Sequence, residues 1–275
     1  MIFTQMRNGV DIVPFLKAAS AKDFKYIEYS DTNYPSLNER DEDKVRKVKE
    51  IAEDCGINII SVHIPPDHDI GSLDKHLREE ALQNVKINLA NASILGAQYA
   101  VLHLSYIEDK VDHDRESIKK YFLESLTELL EEAKRLQITI LIENTMGTWC
   151  GDIDTIKNIV RRYGNNIGFC LDIGHSLIEK YDPAEVISEN IDILKYLHVH
   201  DNKGKHDSHL VPGEGLAPWS RIFAALLKTR YSGIFMFESV ASLSSRDSSE
   251  ILSKVKNVLD LDEEKYPGLF NAVEL

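Results

Sequence analysis

No apolar run in this 275-residue chain approaches the roughly 20 residues a membrane-spanning helix needs. The opening stretch, MIFTQMRNGVDIV, lacks the basic region and apolar core of a secretory signal peptide. Cysteine is scarce. Only Cys55, Cys150 and Cys170 occur, and none stands in a C-x-x-C spacing. That argues against a disulfide framework and for free thiols, so the expected compartment is the cytoplasm. Cys150 and Cys170 read as small packing residues. An excess of positive charge is missing too: the formal net charge is −13. Nucleic-acid binders ordinarily carry a basic face, so this balance weighs against DNA, although a local basic strip or bound metal ions can reverse the sign near a site. There is no Pro-, Ser- or Gly-rich linker and no low-complexity tract. No G-x-G-x-x-G follows the first apolar run, so a dinucleotide-binding sheet lacks its fingerprint.

What is present is a regular alternation. Short apolar runs rich in Ile, Val, Tyr and Phe lie at 1–6, 26–30, 57–64, 99–105, 138–145, 167–175, 194–201 and 233–239. Their length and composition are those of buried strands. Between them the apolar residues recur at helical intervals. DEDKVRKVKEIAEDCG stops at Gly56, DKHLREEALQNVKINLANASILG at Gly96, and DIDTIKNIVRRYG runs from Asp152 or Asp154 to Gly164. DRESIKKYFLESLTELLEEAKRLQ is the clearest helix, and DPAEVISENI places Pro183 just inside a helix start. PWSRIFAALLKTRYSG, RDSSEILSKVKNVLD and a shorter GVDIVPFLKAASAKD, interrupted by Pro14, complete the set. Eight strand–helix units over residues 1–275 predict a single-domain α/β fold, a closed (β/α)8 TIM barrel, with an open doubly wound sheet as the alternative.

In such a barrel the C-terminal strand ends build the active site. Strand three ends in His63, strand four in His103 and strand five in Glu143. Strand six carries Asp172, with His175 just beyond, and strand eight ends in Glu238. Strand seven carries His198, His200 and Asp201, and its loop adds Asp207 and His209. The opposite ends of the same runs carry ordinary residues such as Ile57, Tyr99, Ile138 and Gly233. Carboxylates and imidazoles converging on one mouth repel and lose hydration unless a cation sits among them. Mixed nitrogen and oxygen donors suit zinc, manganese, cobalt or iron(II) better than calcium, and this many donors can hold two or three ions. His198 and His200 share a strand face; His198 is the deeper and better placed ligand, and His200 is a supporting group or a substrate contact. Asp201 and Lys203 can orient the loop or hold an anion. His68, His76, His113 and His206 read as solvated.

The stretches SVHIPPD, VLHLS, LIENT, GFCLDIGHS, HVHDNKGKHDSHLVPGEG and MFES together resemble the xylose-isomerase-like TIM-barrel superfamily. That superfamily includes endonuclease IV and many sugar and sugar-phosphate isomerases and epimerases, and the match covers strands three to eight. The resemblance implies a four-ligand metal core at Glu143, Asp172, His198 and Glu238. A larger endonuclease-type cluster adds His63, His103, His175, Asp207 and His209. The strand-seven loop is worded more like the isomerase and epimerase branch, and the loops SDTNYPSLNERDED and SYIEDKVDHDRE are acidic and suit phosphates poorly.

The expected function is therefore that of a divalent-metal-dependent sugar or sugar-phosphate isomerase or epimerase working through an enediolate. Glu143 and Glu238 are its acid and base, His200 and Lys203 its contacts to sugar or phosphate, and segment 31–42, with Tyr34 and Arg40, its lid. The expected cofactor is one to three ions of zinc, manganese, cobalt, magnesium or iron per chain. The alternatives are a metal-dependent abasic-site endonuclease and a non-catalytic metal- or sugar-binding protein.

Overall fold

Eight strands run parallel and in chain order around a closed barrel, and the computed structural model describes residues 3–5, 12–21, 24–30, 35–107, 110–147, 149 and 152–238. The strands are β1 (Phe3–Gln5), β2 (Tyr26–Ser30), β3 (Asn58–His63), β4 (Tyr99–His103), β5 (Thr139–Glu143), β6 (Ile167–Asp172), β7 (Leu194–Val199) and β8 (Ile234–Phe237). Closure is decided by β1 against β8, where Phe3 pairs with Met236 and Thr4 with Phe237. That pairing rules out the open sheet.

Around the barrel lie α1 (Ile12–Ala21), α2 (Glu42–Asp54), α3 (Lys75–Leu95), α4 (Asp112–Leu136), α5 (Ile153–Tyr163), α6 (Ile173–Ile178), α7 (Pro183–Asn190) and α8 (Trp219–Thr229). Each covers the sheet with one apolar stripe, such as Val45, Val48 and Ala52 on α2 or Ile153, Ile156, Ile159 and Val160 on α5. Their ends follow local chemistry. The Asp41, Asp74 and Asp152 side chains accept backbone N–H groups at helix starts. Gly96 closes α3 at φ 86°, a left-handed conformation that costs glycine little. Pro14 does not break α1, because it sits in the first turn, where no intrahelical N–H bond is lost. The expected helix over 246–260, Tyr34 and Cys150 lie outside the described residues.

Two cores result. A large one fills the space between sheet and helices, and a small one of Val101, Leu141, Cys170, Tyr196 and Met236 plugs the barrel interior. Residues one pleat further toward the C-terminal rim therefore stand on a packed floor. Strand register aligns them: His103 is level with Glu143, and Asp172 with His198. Strand six is shorter than the apolar run suggests. It ends at Asp172, whose side chain caps α6 by accepting the His175 N–H.

The described part of the expected lid is fastened down. Asn88 and Asn91 each donate to the Leu37 carbonyl at 2.8 Å, and Asn91 also reaches the Glu39 carbonyl at 2.8 Å. Arg40 is exposed there. His68 is not solvated as expected: its side chain is 8% exposed and bonds Asn38 Oδ1 at 2.9 Å. His76, His113 and His206 are exposed. Among the described residues no helix is long and apolar enough to cross a membrane.

Candidate metal centre

Glu143, Asp172, His198 and Glu238 bring one donor atom each to within 4.8 Å of one another. They come from β5, β6, β7 and the residue after β8, and all are at most 4% exposed. His198 Nδ1 lies 2.9 Å from Glu143 Oε1 and 3.6 Å from Glu238 Oε2. Glu143 also faces a second group. Its Oε2 lies 3.2 Å from His63 Nε2 and 2.9 Å from His103 Nε2. A third group forms around Asp207, whose Oδ2 is 2.7 Å from His209 Nε2 and 3.5 Å from His175 Nε2. All nine expected ligand positions thus meet at one mouth.

Backbone carbonyls aim several of these rings. His63 Nδ1 donates to Ile64 at 3.0 Å, His175 Nδ1 to Asn144 at 2.9 Å, and His209 Nδ1 to Glu238 at 2.9 Å. Each bond fixes the proton on Nδ1 and leaves Nε2 toward the carboxylates. Asn144 locks the neighbouring strand end as well, accepting the Asp172 N–H at 2.8 Å and donating to the Asp172 carbonyl at 3.1 Å. His209 is held at φ 43°, an uncommon backbone conformation for a residue with a side chain.

The electrostatics are those of a site short of positive charge. Burial alone would raise Glu143 and Asp172, but the surrounding imidazoles outweigh it and hold both below the ordinary carboxylate range. Burial likewise opposes charge on His63, His175 and His209, yet neighbouring carboxylates win and raise them to about 9, about 10 and about 9. His103 goes the other way, lowered by burial. Glu238 is raised, chiefly by burial. Buried Glu238 Oε2, Asp207 Oδ1 and His200 Nδ1 have no hydrogen-bond partner among the described residues. Such atoms are costly in a dry site unless a cation satisfies them. These donors are carboxylate oxygens and imidazole nitrogens, which fit a divalent transition ion.

His200 is fully buried and bonds Asp172 Oδ2 at 3.0 Å. Its ring lies so close to Gly174 that a Cβ there would overlap it. Lys203 is exposed on the β7–α8 loop. Asp201 orients that loop through N–H donors. Its carboxylate accepts five N–H groups: the amides of Asn202, Gly213, Gly215 and Ala217, and the Trp219 indole, at 2.9–3.0 Å. Asp201→Ala leaves these donors unpaired, so chemical denaturation should show a loss of about 3 kcal/mol. An unchanged midpoint would mean that water replaces the carboxylate and the loop sets itself.

Glu28 is a buried carboxylate against the candidate site that strand-end reasoning passes over. It lies mid-strand on β2, 0% exposed, with Oε1 3.0 Å from His198 Nε2. The signal for it was a carboxylate flanked by Ile27 and Tyr29 in a five-residue apolar run.

Comparison with known proteins agrees with this architecture. The chain is 27% identical over 230 residues to an uncharacterized protein of Methanocaldococcus jannaschii, covering 80% of this chain and 76% of that one. It is 22% identical over 200 residues to fructoselysine 3-epimerase of Escherichia coli O157:H7, covering 69% and 71%. The crystal structure of a D-tagatose 3-epimerase-like protein superposes with a TM-score of 0.81 at 22% identity, covering 94% of this chain and 98% of that one. A family model described as xylose isomerase-like TIM barrel matches residues 16–255. The chain belongs to the xylose isomerase-like TIM barrel family.

Proposed function

We propose that this chain is a divalent-metal-dependent isomerase or epimerase of a sugar or sugar phosphate, moving a proton on carbon through an enediolate. The observation that carries the reading is the pair Glu143 and Glu238. Both carboxylates belong to one four-donor group, and their surroundings push their proton affinities apart, Glu143 down and Glu238 up. Two carboxyls in unlike surroundings within one donor group suit the roles of base and acid. Glu143 takes the proton from the carbon next to the carbonyl, and Glu238 holds a proton for the opposite transfer. A divalent ion bound by Glu143, Asp172, His198 and Glu238 supplies Lewis-acid stabilisation of the charge that develops on adjacent substrate oxygens. The packed floor beneath the site keeps water from one side. Fructoselysine 3-epimerase and the D-tagatose 3-epimerase-like protein carry names of this reaction class and so support it.

The test is incubation of the metal-loaded protein with a panel of ketoses and ketose phosphates in D₂O. Solvent deuterium on carbon is expected, with the rate in Glu238→Gln lower by about 10². Ligand binding without any exchange would mean a binding protein.

A second reading rests on a separate observation. His63, His103, His175, Asp207 and His209 extend the four donors to nine, enough for the two or three ions that the reading as a metal-dependent abasic-site endonuclease predicts. Against it stand the net charge of −13 and the acidic lining, Asp67 and Asp69, of the cavity beside His103. Incision of abasic duplex DNA without deuterium uptake would favour it.

A further inference from the structure

The chain has a buried polar track beneath the metal-ligand layer that the proposed reaction does not use. Glu28 Oε1 lies 3.0 Å from His198 Nε2, on the side of the ring opposite Glu143 and Glu238. Glu28 Oε2 accepts from Ser61 Oγ at 2.8 Å and from the Tyr196 hydroxyl at 2.8 Å. Those two hydroxyls lie 2.6 Å apart. Glu28, Ser61, Tyr196 and His198 are all 0% exposed. A carboxylate this deep loses its hydration and is held instead by protein groups, two hydroxyls on one oxygen and the His198 ring on the other.

We infer that Glu28 is a positioning residue that commits His198 to bind metal through Nδ1. The inference rests on the reading of His198 as a ligand. A carboxylate oxygen at hydrogen-bond distance from Nε2 requires a proton on that nitrogen, since two acceptors repel. Nδ1 stands 2.9 Å from Glu143 Oε1 and by the same reasoning carries a proton in the metal-free ring, but it alone opens on the four-donor group, where an ion takes that proton's place and leaves the Nε2 proton on Glu28. The other anchored rings are held the opposite way round. His63, His175 and His209 donate from Nδ1 to a neutral backbone carbonyl and present Nε2. Of these four, His198 is the one whose anchoring hydrogen bond goes to a carboxylate, at 3.0 Å. A charged partner behind the ring raises its basicity as a ligand as well as fixing its orientation. Ser61 and Tyr196 hold Glu28 in turn, so the track reads from β3 and β7 through β2 into the metal layer. A glutamate that only filled space would need no such aim.

The experiment compares divalent-ion affinity of the wild-type chain and Glu28→Gln, by zinc titration against a competing chelator. It also records nitrogen NMR of the zinc-loaded proteins labelled at histidine. Glutamine keeps the shape and removes the charge. Affinity is expected to fall about 10- to 100-fold in Glu28→Gln. The wild-type spectrum is expected to show one histidine bound through Nδ1 with its proton on Nε2, and that signal should be missing in His198→Ala. A His198 ring bound through Nε2 overturns the inference without any variant. Equal affinity in wild type and Glu28→Gln overturns it alone, whereas a wild-type chain that holds no divalent ion overturns the metal reading with it. Should Glu28→Gln fail to fold, Tyr196→Phe removes one donor to Glu28 and keeps the ring, and about a threefold loss of affinity is expected.

Discussion

Glu143→Gln should abolish deuterium exchange, with a drop of about 10⁴, and should also leave the purified chain with little tightly held metal. The size of the effect follows from where the two oxygens of Glu143 lie. Oε1 stands 2.9 Å from His198, and Oε2 stands 3.2 Å from His63 and 2.9 Å from His103. One residue therefore serves two donor groups, and its amide replaces a charged acceptor with a neutral one that presents N–H to one side. Proton transfer fails because glutamine cannot take a proton, and the ion is lost because both groups lose a carboxylate. The metal-free variant should be destabilised as well. Glu143 is 1% exposed and offsets several imidazoles, and removing one partner from such a buried set costs about 3–5 kcal/mol. The checks are metal content by elemental analysis, exchange rate in D₂O, and a denaturation midpoint in chelator. A variant that keeps its metal and its exchange rate would remove Glu143 from both roles. Glu238→Gln is the useful contrast, since Glu238 Oε2 has no hydrogen-bond partner among the described residues, whereas both Glu143 oxygens lie within hydrogen-bond distance of histidines.

The barrel and the rim of the site were readable from sequence because both follow from alternation and polarity. Apolar runs of strand length bounded by helices predict the parallel sheet, and His, Asp and Glu at the same end of six runs predict where chemistry gathers. Closure was not readable, since strand count is the same for an open sheet, and only the pairing of Phe3 with Met236 decides it. Glu28 was hidden because it sits one pleat below the rim, where a residue's role depends on partners 33, 168 and 170 positions away. Asp201 looked like a loop residue with open roles; that its oxygens gather N–H groups from Asn202 to Trp219 is set by the loop's path, which periodicity does not encode. His68 misled for the same reason, its partner Asn38 lying in a different loop.

Metal affinity should rise with pH, because the raised histidines of the candidate donor groups must lose a proton to bind an ion. In the metal-free chain protons occupy the place of cations. Burial opposes a charged ring at His175, but Asp172, Asp207 and Glu143 raise it to about 10, and Asp207 and Glu238 raise His209 to about 9. Both rings are imidazolium at neutral pH, and a metal ligand must be neutral, so an ion bound by either ring releases about one proton. His198 is also raised, its burial outweighed by nearby carboxylates, so the ion among Glu143, Asp172, His198 and Glu238 releases about one. The group of His63, His103 and Glu143 also releases about one, because His63 is raised to about 9 while burial holds His103 below its ordinary value. The logarithm of affinity should therefore climb by about one per pH unit for each ion, up to pH about 9. Stability moves the opposite way without metal. Histidines raised above the unfolded value of about 6.5 contribute fully below that pH and lose their contribution as pH passes through about 9 to 10. Asp172 and Asp207, held low, contribute above an unfolded value of about 4 and lose their contribution in acid. The chelator-treated chain should be firmest near pH 5 to 6.5 and soften toward pH 10, as the metal-loaded chain gains RT ln(1 + [M]/Kd) from tightening sites. Calorimetric titrations in buffers of different ionisation enthalpy count the protons, and melting curves with and without chelator read the gap in Tm. A gap that stays flat or narrows between pH 6 and 9 would show that these histidines are not protonated in the metal-free site, and that ions do not enter by displacing protons.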